Sequence, residues 1–123
     1  MRERRKFPRA ELVCKLNIFY SSSPIRTKTQ NIGEGGIMVV LKQETMRGIP
    51  MKIELFVEGR VIQCNGHTVW VVTRADPENI NQNVFDTGIQ FDDISEEDKR
   101  YISDLVKRLN MRSSGGKNVR TNL

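Results

Sequence analysis

The chain predicts an all-β fold closed by one helix: a six-stranded antiparallel β-barrel followed by a C-terminal α-helix. Three observations predict it. Apolar residues recur at every second position in several segments, the pattern of a strand with one buried face. Turn residues punctuate these segments at intervals of roughly 8–12 residues, which suits a sandwich or a small barrel, and a closed barrel leaves no exposed edges. After Ser95 the apolar period lengthens to that of a helix.

The elements follow in order. Leu12, Cys14, Leu16, Ile18 and Tyr20 alternate as one strand, and Ser21-Ser22-Ser23-Pro24 is a turn. Arg26 to Asn31 is a polar, exposed strand, and Gly36 to Leu41 is a short apolar one. Lys42 to Pro50 reads as a loop. Ile53, Leu55 and Val57 alternate again before a tight turn at Glu58-Gly59. Val61 to Thr73 is a long β-rich stretch in which Asn65-Gly66 is either a hairpin turn or a bend in one long strand. Ala75 to Asn83 reads as polar loop, and Val84 to Phe91 as the last strand.

Ser95-Glu96-Glu97-Asp98 supplies an N-cap and acidic first-turn residues suited to the helix dipole. Tyr101, Ile102, Leu105, Val106 and Leu109 then form one apolar stripe, and the helix is expected to end near residue 110. The domain plan is a flexible basic arm over 1–10, the barrel and helix over 11–110, and a disordered tail over 111–123 that opens on Ser113-Ser114-Gly115-Gly116.

At 37% hydrophobic and 28% charged, the 123 residues suit one globular domain with one core. No stretch approaches the roughly 20 apolar residues that span a bilayer, and no apolar run follows the charged N-terminus, so a cytoplasmic protein without membrane insertion is expected. Cys14 and Cys64 match no metal spacing and read as buried thiols. His67 is the only histidine, and it falls in a strand pattern. Asp92 and Asp93 are adjacent and face opposite sides, a poor acid/base pair. With no metal cluster and no activated nucleophile readable, the chain is read as a non-enzyme. Trp70 falls in an apolar strand and is expected in the core.

The formal charge is +5, concentrated at the ends: Arg2, Arg4, Arg5, Lys6 and Arg9 stand against Glu3 alone near the N-terminus. Such an arm favours an anionic partner. A nucleic-acid-binding barrel would need stacking aromatics on an exposed strand face, and the few aromatics here fall mostly in apolar patterns, so no nucleic acid is expected. Within the arm, Arg5 and Arg9 are four apart. Pro8 disfavours helix at Phe7, so both guanidinium groups point to one side of an extended segment. Each is a planar fork that takes a phosphate, or the O6/N7 edge of guanine, bidentately. The second candidate is the turn Asn31-Ile32-Gly33-Glu34-Gly35-Gly36, where glycines admit φ > 0, close backbone approach and an anion nest of N–H groups.

In this order, on a small β domain, the arginine pair and the glycine turn resemble the two signatures of the PilZ domain family, RxxxR and Asp/Asn-x-Ser-x-x-Gly. Gly33 stands where the serine belongs. The resemblance spans about residues 4–110 and extends to Val69-Trp70, Gly88-Ile89-Gln90-Phe91 and the Ser95-Glu96-Glu97-Asp98 helix start. It implies the bent strand at Gly66. It also implies a receptor for cyclic di-GMP, with no cofactor beyond that ligand, bound by Arg4, Arg5, Arg9, Asn31, Gly33 and Gly36. An arginine at position 4 goes with two stacked nucleotides per site. With no output domain in the sequence, signalling would pass through an unidentified effector protein, in motility, biofilm or virulence control. The alternative is a degenerate PilZ-like interaction module that binds protein and no nucleotide. Restoring serine at Gly33 is expected to tighten nucleotide binding or leave it equal.

Overall fold

A computed structural model describes residues 7–20 and 23–122, with side chains as far as Arg112. Its elements are β1 (Arg9–Glu11), β2 (Lys15–Phe19), β3 (Ile25–Gly33), β4 (Gly36–Leu41), β5 (Pro50–Val57), β6 (Arg60–Asp76), β7 (Asn79–Asp93) and α1 (Glu96–Asn122). All strand pairs are antiparallel. Neighbours run β3-β2-β5-β6-β7-β4, and β4 pairs back onto β3, which closes the barrel. Strands β1 and β2 lie end to end on one edge of β3, so they form a single broken stave and the barrel has the six staves expected.

The strand expected over Leu12–Tyr20 is therefore interrupted, and a buried threonine explains how. The Thr29 hydroxyl accepts from the Cys14 amide at 2.9 Å and donates to the Leu12 carbonyl at 2.6 Å, while the Thr29 amide donates to the Cys14 carbonyl at 2.8 Å. A side chain thus satisfies backbone groups that the ladder leaves open. Thr29→Val keeps the shape and removes both hydroxyl bonds from a fully buried site. The expected cost is about 2–3 kcal/mol, read as a lower urea midpoint at unchanged m-value. An unchanged midpoint would mean that the Thr29 hydroxyl does not hold the break together.

Alternating residues of the staves, among them Leu16, Ile18, Ile32, Ile37, Ile53, Leu55, Ile62 and Ile89, form one core with Ile102, Leu105 and Val106 of the helix stripe. The cap is as expected: the Ser95 hydroxyl accepts from the Asp98 amide at 3.1 Å. Glu58 (φ 51°) and Gly59 (φ 80°) make the tight turn joining β5 to β6. Tyr101 donates to Glu58 at 2.7 Å, and Arg60 bridges to Asp98 at 2.9 Å beneath the Tyr101 ring, so this turn anchors the helix. The helical backbone continues to Asn122 rather than ending near 110. Its hydrogen bonds are internal, and Gly115-Gly116 lower helix propensity without barring the conformation.

The long stretch is one bent strand. At Gly66 the register shifts, and a Cβ there would lie 2.6 Å from the Gln90 carbonyl oxygen. The polar segment Ala75–Asn83 is mostly strand, not loop: β6 reaches Asp76, β7 starts at Asn79, and the Glu78 amide bonds the Asp76 carboxylate at 2.9 Å in the turn. This ribbon lies beyond the stretches paired with β4 and β5, both of its faces meet solvent, and no alternation marks it. Both cysteines are free and buried, and burial pushes the Cys64 thiol up to about 12, so they serve as core. Among the described residues no helix is long and apolar enough to cross a membrane, and no cluster fit for a metal ion occurs.

Candidate ligand site

The arm and the glycine turn meet because β1 pairs with the end of β3. Arg9 lies opposite Gly33, and Glu11 opposite Asn31. The Arg9 guanidinium donates to the Asn31 side-chain oxygen at 2.8 Å, which links the second arginine of the pair to the first residue of the turn. The Asn110 side chain of α1 donates to the Arg9 carbonyl at 3.2 Å. Gly33 and Gly36 close the β3–β4 hairpin. Arg4 and Arg5 lie outside the described residues.

The glycines here make room rather than a nest. Among the described residues the positive-φ glycines are Gly48 and Gly59, so Gly33, Gly35 and Gly36 keep ordinary backbone angles. A Cβ on Gly35 would lie 2.9 Å from the Phe7 ring, and one on Gly36 would run into the Ile89 carbonyl. A Cβ on Gly33 would lie 2.8 Å from the Pro8 carbonyl and 3.3 Å from Cγ of Arg9. This corrects the expectation for serine at position 33. A serine there has to push the arm off the turn, so Gly33→Ser is expected to weaken nucleotide binding several-fold, by calorimetry, rather than tighten it. Equal or tighter binding would mean that the arm rises freely.

Beside this seam lies a pocket of about 870 Å³, within the roughly 300–1,000 Å³ usual for small-molecule sites. Phe7, Arg9 and Gly35 line it from the N-terminal segment and the β3–β4 turn, Trp70 and Gln90 from β6 and β7, and Asp92, Asp93, Glu96 and Lys99 from the end of β7 and the start of α1. Phe7 reaches across, its ring 6.0 Å from the Lys99 ammonium. Asp92 meets Nδ1 of His67 at 2.8 Å, and Asp93 accepts from Asn65 at 3.2 Å.

Trp70 is 42% exposed and not in the core. The cause is a bulge: Thr68 pairs with Ile89 and Trp70 with Gly88, which leaves Val69 unpaired and reverses the facing of everything after it. The indole lies directly on Gly88, where any Cβ would overlap it. Sequence reasoning missed Trp70, Phe7, Gln90 and Lys99 as site residues. The Trp70–Gly88 pairing was the one signal available, since a glycine facing a tryptophan leaves a flat bed for the ring.

Fold and site together define a small closed β-barrel whose segment from Phe7 to Arg9 lines one side of a pocket. The PilZ domain model matches residues 3–108, and the chain belongs to that family. No curated protein sequence matches it. Solved structures with the same fold include three. The Bacillus subtilis inhibitor of motility MotI/DgrA is 21% identical with a TM-score of 0.77, covering 89% of this chain and 53% of that one. The PilZ domain of Escherichia coli YcgR with c-di-GMP is 16% identical with a TM-score of 0.70, covering 94% and 98%. The K. pneumonia MrkH–c-di-GMP complex is 16% identical with a TM-score of 0.73, covering 93% and 56%. The chain thus spans about half the length of MotI and MrkH and nearly all of the isolated YcgR domain.

Proposed function

We propose that the chain is a cyclic di-GMP receptor that passes its signal to a partner protein. The carrying observation is the Arg9–Asn31 link at the mouth of the pocket. It supports the reading because it holds one guanidinium fork beside a pocket of small-molecule size. Arg9, joined by Arg4 and Arg5, takes phosphate and guanine O6/N7. Trp70 offers an exposed ring for a base to stack on. The lining carboxylates offer acceptors for the guanine N1–H and amino group. Two stacked nucleotides fill the site. Binding brings Arg4 and Arg5 to the nucleotide beside Arg9, changes the surface around β1 and α1, and presents that change to an effector in motility, biofilm or virulence control. Support comes from family membership and from YcgR and MrkH, each solved with c-di-GMP.

Trp70 is the only tryptophan, so its emission reports on the pocket. A saturable change with cyclic di-GMP, and none with GTP, is the expected result. Flat emission alongside calorimetric binding would place the nucleotide elsewhere.

A further inference from the structure

The outer face of β2, β3 and β5 lies apart from the nucleotide pocket and carries unpartnered charge. Lys15 and Lys28 stand directly opposite each other across the β2–β3 pair. Like charges in that position destabilise a sheet. Arg26 projects from the same face, opposite Asn17, and Lys52 lies opposite Phe19. Among the described residues none of these four cations forms an ion pair. The nearby carboxylate, Glu54, is held instead by two amides, Asn17 at 3.0 Å and Gln63 at 3.3 Å. Between the lysines and Phe56 runs a groove of about 490 Å³ with an apolar floor. Phe19 and Phe56, out of phase with the buried alternation of their strands, are 40% and 39% exposed here.

We infer that this face is a docking surface for an acidic, apolar-anchored segment of a partner protein. An apolar side chain fits the groove against Phe56, and carboxylates meet Lys15, Lys28 and Arg26 around it. Charge complementarity selects the occupant. A nucleic acid fits less well. Glu54 keeps a negative charge at the middle of the face, and the two phenylalanines are two rows apart, about 13 Å along the strands, too far to stack successive bases. The face also has a path to the pocket. Strand β3 carries Arg26 and Lys28 at its start and Asn31 and Gly33 at its end, and the broken stave carries Lys15 in β2 and Arg9 in β1, with Thr29 stapling the break. The inference assigns an output surface to the receptor reading, and its test runs separately from nucleotide binding.

The test titrates the full chain into a short fluorescein-labelled peptide rich in glutamate with two leucines, without nucleotide, and reads anisotropy. Saturable binding that weakens with salt is expected, with amide shifts at Lys15, Arg26, Lys28 and Phe56 on an ¹⁵N-labelled sample. Lys28→Glu converts the repulsive cross-strand pair into an attractive one, so its melting temperature should hold or rise while peptide affinity falls at least about tenfold. Phe56→Ala should also weaken the peptide. Wild-type affinity in both variants, shifts confined to another face, or tighter binding of an oligothymidylate than of the peptide would overturn the proposal. So would self-association through this face that the peptide fails to displace. Calorimetry with cyclic di-GMP on the same variants should be unchanged, which separates failure of this face from failure of the pocket.

Discussion

Alanine at Arg9 is expected to lower the affinity for cyclic di-GMP by at least about 100-fold while the barrel stays folded. The backbone of Arg9 pairs with Gly33 in the β1–β3 ladder, and alanine keeps that pairing. What is lost is the guanidinium, its bond to Asn31, and the orientation that this bond gives both groups. Each charge-assisted hydrogen bond to the nucleotide is worth about 1.5–3 kcal/mol. Losing two amounts to about 3–6 kcal/mol, and 1.4 kcal/mol is tenfold in affinity. Arg9→Lys should fall between, since it keeps charge without the planar fork. Calorimetry gives the affinities, and far-UV circular dichroism checks the fold. Wild-type binding by Arg9→Ala would remove Arg9 from the site. Arg5→Ala is expected to behave likewise on the strength of the motif.

Alanine at Gly36 should have the largest effect on stability. A methyl there meets the Ile89 carbonyl and lies 3.1 Å from the Gln90 Cα, both backbone atoms of β7. Gly36 and Gln90 are in register within the β4–β7 ladder, so no flexible side-chain end is available to yield. Overpacking usually costs about 1–3 kcal/mol, and a backbone obstacle places this case at the upper end. The melting temperature should fall by about 10 °C. Gly59→Ala is the contrast. Nothing lies within 4 Å of a Cβ there, and only the φ of 80° is strained, a cost of about 1–2 kcal/mol. Thermal unfolding followed by circular dichroism compares the two. A Gly36→Ala protein that melts with wild type would show that β4 and β7 are not joined as described.

The barrel was legible because most staves have one wet and one dry face, so Leu16, Ile18, Ile53 and Leu55 alternate plainly. Reading failed where that condition lapses. The ribbon around Asn79 is wet on both faces, and Val69 inserts one residue that turns Trp70 outward. The break between β1 and β2 depends on Thr29, whose polarity read as exposure although it is buried. Within the site, Arg9 and Asn31 were legible because a motif placed them, and the register of β1 on β3 brings them together. The opposite wall was not. Trp70, Gln90, Asp92 and Lys99 come from β6, β7 and the start of α1, and only closure of the barrel makes them neighbours of Phe7. Gly33 read as a serine lost, whereas in the folded chain it is the space that seats Pro8.

The most direct test is isothermal titration of the purified chain with cyclic di-GMP, with GTP as control. Saturable heat is expected with cyclic di-GMP only, at a stoichiometry near two nucleotides per chain, and it should be lost in Arg9→Ala. No heat up to the solubility limit of the nucleotide, or equal heat from GTP, would contradict the receptor reading.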